Sequence, residues 1–99
     1  MEVKDFTVAT EIQRQIGNKA FYMLGAQNLV ADSTSLSFRI RGSKVCSHIQ
    51  IALNGSDLYD MTFMKISRLN IKNKKTFENI YVDQLHQIIE QETGLYTKL

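Results

Sequence analysis

Two stretches of the chain repeat their apolar residues at the spacing of an α-helix. In residues 6–16, Val8, Ile12 and Ile16 recur every four positions between polar side chains, which predicts an amphipathic helix. The same kind of spacing returns in residues 78–92, and Gly94 follows as a helix-ending residue. The apolar stripe of this second predicted helix consists of Tyr81, Leu85, Ile88 and Ile89.

Between these helices, apolar and polar residues alternate as they do in strands. In residues 36–41, Leu36, Phe38 and Ile40 share one side and polar side chains the other, which is typical of a half-buried strand. Asn54-Gly55 predicts a tight hairpin, because both residues tolerate the positive φ angles of such a turn. The four predicted strands cover residues 20–24, 36–41, 45–53 and 57–67.

Three segments depart from simple alternation. The first strand either stops at Gly25 or continues through residues 26–30 past a bulge at this glycine. In the fourth strand the apolar residues change parity at Phe63-Met64, which predicts a bulge or bend because a one-residue slip exchanges the two faces of a strand. Residues 68–76 are rich in Lys and Asn, and we predict a basic loop or the frayed end of the fourth strand.

The order of the predicted elements is helix, four strands, helix. Strands that are joined by hairpin-length connections pair antiparallel, and their apolar face needs a cover. We therefore expect an α+β fold, a four-stranded antiparallel meander with an N-terminal and a C-terminal helix packed on one face. No internal repeat or linker divides the chain, so residues 1–99 are predicted to form a single domain.

Composition narrows the class of protein. The 99 residues are 43% hydrophobic and 22% charged, which is too apolar for a disordered chain. No apolar run approaches the ~18 residues of a membrane span, and the first residues lack the features of a secretory signal. The single cysteine, Cys46, agrees with a reducing compartment because it has no partner for an internal disulfide. We therefore expect a cytoplasmic protein that does not interact with a membrane.

Charge is distributed unevenly along the chain. Residues 33–75 contain eight Lys and Arg against two Asp, a net charge of +6, whereas residues 76–99 contain one Lys against four Asp and Glu, a net charge of −3. Such asymmetry can steer an acidic partner, but solvated strand faces also collect cations for solubility. The whole chain carries a net charge of only +2.

The sequence contains no recognisable catalytic motif. Cys46 and His48 lie on one face of a predicted strand, but with His86 they provide too few ligands for a structural zinc site. Gly-x-Ser-x-Gly and the glycine-rich phosphate loops are absent. Asp57 and Asp60 flank a strand entry, where acidic residues are common. We predict a non-enzymatic protein without a metal or cofactor.

A basic surface is the main candidate for a binding site. Arg39 and Arg41 lie on the polar side of a predicted strand, and the basic segment after residue 67 extends this surface. Phosphate contacts by these cations would favour nucleic acid, but the aromatic residues that stack bases are missing from the pattern. Pairing of two copies through exposed edge strands is a third hypothesis. The predicted partner-binding residues are Arg39, Arg41, Lys65, Arg68, Lys72, Lys74 and Lys75.

Several segments together resemble a group of small accessory proteins of bacteriophages, prophages and plasmids. The segments are QIGNKAF (15–21), MLGAQNL (23–29), IALNGSDLYD (51–60), YVDQL (81–85) and TGLYT (93–97). The resemblance covers nearly the whole chain, and the TGLYT ending is its most specific part. It implies no catalytic residues; it implies a protein that acts in a bacterial host by binding a host protein or nucleoprotein complex.

The leading hypothesis from the sequence is therefore an inhibitor of a host defence complex, such as a CRISPR effector, that binds through its basic surface. The alternative is a small single-stranded DNA- or RNA-binding protein that uses the same surface.

Overall fold

An antiparallel sheet and three α-helices make up the part of the chain that the structure, a computed structural model, describes: residues 7–67 and 70–97. A single 3-10 turn, Val82–Gln84, precedes the last helix. The helices are α1 (Thr7–Ile16), α2 (Asn18–Leu24) and α3 (Leu85–Thr93), and the strands are β1 (Gln27–Ala31), β2 (Ser35–Arg39), β3 (His48–Leu53), β4 (Tyr59–Ser67) and β5 (Asn70–Ile80).

The sheet follows the chain order, β1-β2-β3-β4-β5, and every neighbouring pair is antiparallel. The predicted α+β class and the antiparallel sheet are thus confirmed. The predicted number of strands is wrong, because the described residues form five strands. The difference arises in two segments, one at each edge of the sheet.

Residues 20–24 were predicted as a strand, but they lie in helix α2. Ala20 and Leu24 are four residues apart and buried, whereas Tyr22 between them is 85% exposed; one turn of helix produces this pattern, and a strand does not. Gly25 has a φ of 63° and ends the helix in the left-handed conformation. It is a helix cap and not a bulge within a strand, so β1 begins only at Gln27.

The predicted basic loop at residues 68–76 is a strand from Asn70 onward. Arg68 and Leu69 lie outside the described residues. Strand β5 pairs with β4 and continues to Ile80, so the last helix cannot begin at residue 78 as predicted. Lysine is well tolerated in such an edge strand because its side chain reaches solvent and discourages pairing with other chains.

The bulge predicted near Phe63-Met64 is wrong, because β4 has no extra residue there; the extra residue is Lys72 in β5. The pairing of β4 with β5 is regular through these two residues and shifts between Lys65 and Ile66. Met64 and Ile66 keep the parity of the strand and are half-buried on the face opposite Phe63. The change of parity in the sequence therefore marks apolar side chains on the second face of the sheet.

The core is one hydrophobic cluster to which the helices and one face of the sheet contribute. Leu36 pairs with Ile51, and Ile49 pairs with Phe63, so alternate residues of the three central strands point into it. We call it the hydrophobic cluster. Its buried members are Ala9, Ile12, Ile16, Ala20, Leu24, Leu36, Phe38, Ile40, Cys46, Ile49, Ile51, Tyr59, Met61, Phe63, Ile80, Leu85 and Ile89.

Hydrogen bonds tie the segment after α3 to the helices. Thr97 is 1% exposed, and its backbone N–H donates to Glu90 Oε2 at 2.8 Å. Its hydroxyl lies 3.1 Å from both Glu90 Oε2 and His86 Nδ1. The other ring nitrogen of His86 donates to the carbonyl oxygen of Ile16, 2.8 Å away. Tyr96 is nevertheless 73% exposed, so the segment after α3 is docked through Thr97 while Tyr96 faces solvent.

Candidate binding surface on the outer face of the sheet

The face of the sheet opposite the hydrophobic cluster carries rows of side chains that cross all five strands. Residues paired across neighbouring strands point to the same side of a sheet. The pairing therefore places Gln27, Arg39, His48, Met64 and Lys74 in one row. From the ~4.8 Å spacing of strands, Arg39 and Lys74 stand about 14 Å apart.

A second row lies beside the first. It is uncharged and consists of Val30, Ser37, Gln50, Thr62 and Thr76. We call the face that carries these two rows the outer face. It combines cations near its margins with hydroxyl, amide and apolar groups in its centre.

Arg39 ends strand β2 and is exposed. In residues 7–67 and 70–97, no carboxylate forms an ion pair with it. Its neighbour in the row is His48, whose Nδ1 lies 2.8 Å from the Ser47 hydroxyl. Burial, and next the positive charge of Arg39, lower the pKa of His48 below its ordinary value. The imidazole is therefore neutral at neutral pH, and the guanidinium supplies the charge at this place.

Arg41 lies beyond the end of β2, where its backbone N–H donates to the Leu24 carbonyl at 3.0 Å. When the side-chain amide of Gln27 is oriented with its oxygen toward Arg41, this oxygen accepts hydrogen bonds from Arg41 Nε at 2.9 Å and from Arg41 Nη2 at 2.7 Å. Gln27 is also the cross-strand partner of Arg39. The structure thus brings the two predicted arginines together at the β1 edge of the outer face.

Lys65 and Lys75 lie on the opposite side of the sheet. Lys75 is paired with Phe63; its Nζ lies 3.3 Å from a carboxylate oxygen of Glu92 in α3 and 5.2 Å from the centre of the Phe77 ring. The Lys65 ammonium donates to the carbonyl oxygen of Lys44. These two cations are engaged within the molecule and do not contribute to the outer face.

The remaining predicted binding residues also differ in their position relative to the outer face. Lys74 is exposed and belongs to the outer face, as the partner of Met64. Lys72 is also exposed, at the shift in pairing between β4 and β5. Arg68 lies outside the described residues. The seven predicted residues therefore do not form one patch, and alternation within β5 sends Lys74 and Lys75 to opposite faces.

Two carboxylates lie close to these rows in sequence. Glu78 is exposed two residues after Thr76 in β5. Asp60 comes two residues before Thr62, on the same side of β4. Its Oδ1 accepts from the Asn54 side chain at 3.0 Å and from the Asn79 backbone N–H at 3.1 Å. This carboxylate is satisfied by neutral donors, so it does not neutralise the cations at the other end of the face.

A groove of about 300 Å³ opens in the outer face beside Arg39. Its wall includes Asn28 and Val30, which are not among the predicted binding residues; they lie in residues 26–30, which the sequence left as an alternative continuation of the first strand. A correct assignment needed the helical burial pattern of residues 20–24. The complete lining is Asn28, Val30, Ser37, Phe38, Arg39, His48, Ile49, Gln50 and Met64.

The structure brings no metal ligands together among the residues that it describes: no group of three or more His, Cys, Asp or Glu side chains converges. Cys46 and His48 do not share a strand face, because β3 begins at His48 and Cys46 is buried in the hydrophobic cluster. Burial raises the pKa of the Cys46 thiol, which keeps it protonated and unreactive at neutral pH.

Comparison with known proteins found no matching family model, no similar curated protein and no similar solved structure. Within the described residues, no helix has the length and apolar character needed to cross a membrane.

Proposed function

We propose that this protein is a non-enzymatic binding protein whose outer face docks on an acidic surface of another protein. In this proposal α1 and α3 cover the cluster side of the sheet and leave the outer face for the partner. The observation that carries the proposal is the row of residues from Arg39 to Lys74, which ends in exposed cations on a regular sheet surface.

The composition of the two rows favours a protein partner over nucleic acid. The rows contain no Phe, Tyr or Trp, whereas single-stranded nucleic acid is usually held by bases stacked on such rings. Val30 is 60% exposed, and Met64 is half-buried beside the cations. Apolar side chains with arginine nearby are typical of protein interfaces.

The resemblance to phage, prophage and plasmid proteins suggests the kind of partner. A small protein of a mobile element gains an advantage by blocking a host defence complex, such as a CRISPR effector. Such effectors hold nucleic acid in positively charged channels, so a cationic face would have to dock on acidic surfaces outside these channels. The outer face would bind one of these and obstruct assembly or substrate entry.

The experiment is capture from a bacterial host lysate, with and without nuclease, by three forms of the protein. The first is the natural chain, and the second is Arg39→Glu with Lys74→Glu. The third is Lys19→Glu with Lys44→Glu, which changes the charge equally at exposed residues outside the two rows. Circular dichroism establishes that all three are folded.

We expect a host protein that is retained by the natural chain and by the control, is lost from the outer-face variant, and survives nuclease. Equal capture by the two variants would contradict the proposal. Nuclease-sensitive capture, together with binding of bare oligonucleotide that weakens steeply with salt, would instead establish the nucleic-acid alternative.

A further inference from the structure

We propose that the groove in the outer face is an anchor site for a single carboxylate, the side chain of a Glu or Asp on the partner protein. Arg39 would bind the carboxylate oxygens, and the apolar wall formed by Val30 and Met64 would hold the methylene groups. This inference rests on the proposed function, because it names the chemical group that the outer face recognises.

The donors around the groove fit a carboxylate. A guanidinium presents five N–H donors in a planar fork that matches the two oxygens of a carboxylate. Arg39 has this fork available, since no acidic group of the described chain is paired with it. Gln50 adds an amide on the next strand and is also exposed. Both side chains border the same groove.

The size of the groove favours one side chain over a larger ligand. Pockets for small molecules range from ~300 to ~1,000 Å³, and this groove, at about 300 Å³, lies at the lower limit. Its apolar surface comes from Val30 and Met64, because the side chains of Phe38 and Ile49, which also line it, point into the hydrophobic cluster. A fully hydrated inorganic phosphate gains nothing from such apolar surfaces, whereas the methylene groups of an acidic side chain do.

His48 gives the site a proton-linked response. In the free protein, burial and the charge of Arg39 lower its pKa. The other strand packed beside it, β4, presents the uncharged Met64, and the next charge along the row is Lys74 on β5. A carboxylate in the groove would oppose the effect of Arg39 and raise the pKa of His48. Binding should therefore strengthen as the pH falls into the range in which His48 takes up its proton.

The test is an NMR titration of the natural chain with the capped peptide acetyl-Leu-Glu-Glu-Leu-amide. The matching glutamine peptide and inorganic phosphate serve as comparison ligands. Arg39→Gln removes the guanidinium group that is proposed to bind the carboxylate. Lys19→Gln is the control, because it makes the same charge change at an exposed residue of helix α2. The readouts are the chemical shifts of His48, Gln50 and Met64 and the pKa of His48.

We expect the glutamate peptide to shift these three signals and to raise the pKa of His48 in the natural chain and in Lys19→Gln. Binding should be about tenfold weaker or more in Arg39→Gln, since a charge-assisted pair is lost. Equal shifts with the glutamine peptide, shifts with phosphate of the same size, undiminished binding to Arg39→Gln, or no shift at millimolar peptide would each overturn the proposal.

The two proposals fail in different ways. If a host protein is lost from the outer-face variant but the glutamate peptide does not bind, the outer face is a docking surface without a carboxylate anchor. If the peptide binds in the groove but no host protein depends on Arg39 and Lys74, the anchor site exists and the proposed function is wrong.

Discussion

Replacement of Thr97 by Val tests how the end of the chain is held. Valine has nearly the same shape as threonine, so this change removes the hydroxyl group without leaving a large cavity. The hydroxyl lies 3.1 Å from Glu90 Oε2 and 3.1 Å from His86 Nδ1. The backbone N–H bond of residue 97 to Glu90 remains available. The substitution therefore isolates the two side-chain hydrogen bonds.

The expected loss follows from the burial of this site. Thr97 is only 1% exposed, so water cannot easily replace the lost hydroxyl. A hydrogen bond to a charged group contributes about 1.5–3 kcal/mol, and groups left without a partner add to the loss. We expect the free energy of unfolding to fall by about 2 kcal/mol, which lowers the melting temperature of a domain of this size by about 10 °C.

Urea unfolding followed by circular dichroism measures this change. With m values of about 1–3 kcal/mol/M, the midpoint should fall by about 0.7–2 M. Thr62→Val is the matched control, since Thr62 is on the outer face and its hydroxyl is 3.4 Å from that of Thr76. Its effect should stay within about 0.5 kcal/mol, as for most surface substitutions. If Thr97→Val is no more destabilising than this control, the hydroxyl does not hold the chain end.

Three further predictions concern other parts of the molecule. Gly25→Ala should destabilise the protein by about 1–2 kcal/mol, because φ is +63° and the new Cβ would lie 3.1 Å from Arg41 Cβ; Gly55→Ala, with no atom within 4 Å of the new Cβ, is the control in a thermal unfolding experiment. Cys46 should resist a thiol reagent at mildly alkaline pH in the folded protein and react fully in urea, because burial raises its pKa; rapid modification without denaturant would contradict the buried position. The pKa of His48 is lowered in the folded state, so the unfolded chain takes up the proton first and stability falls as the pH drops below ~6.5. Arg39→Gln should reduce this loss and raise the pKa of His48 in an NMR titration; an unchanged pKa would show that the two side chains do not interact.

Local periodicity in the sequence was sufficient for the elements that have one clearly buried side. The stripe of Ile12 and Ile16 identifies α1, and the alternation around Phe38 and Ile49 identifies β2 and β3, because burial on one side leaves a regular trace in the order of residues. The hairpin predicted at Asn54-Gly55 does join two strands that pair, but the turn extends to Leu58 and its residue with a positive φ is Asp57.

Short or edge elements leave a weaker trace. Residues 20–24 are too few for their apolar residues to distinguish a helical period from a strand, and the contacts of Ala20 and Leu24 with the hydrophobic cluster decide for the helix. The lysines of β5 favour a loop in the sequence pattern. An edge strand can nevertheless contain them, because it needs few apolar residues on its exposed side. Its partner β4 supplies the hydrogen bonds that keep it extended.

The sequence by itself determined the α+β class, the antiparallel pairing and the concentration of cations in the middle of the chain. Only the tertiary structure decided which cations share a surface, because this depends on register, and register is set by the partner strand and by bulges. Arg39 and Lys74 are thus in one row across the sheet, although they are distant in the chain. Lys75, next to Lys74, turns to the opposite face and pairs with Glu92.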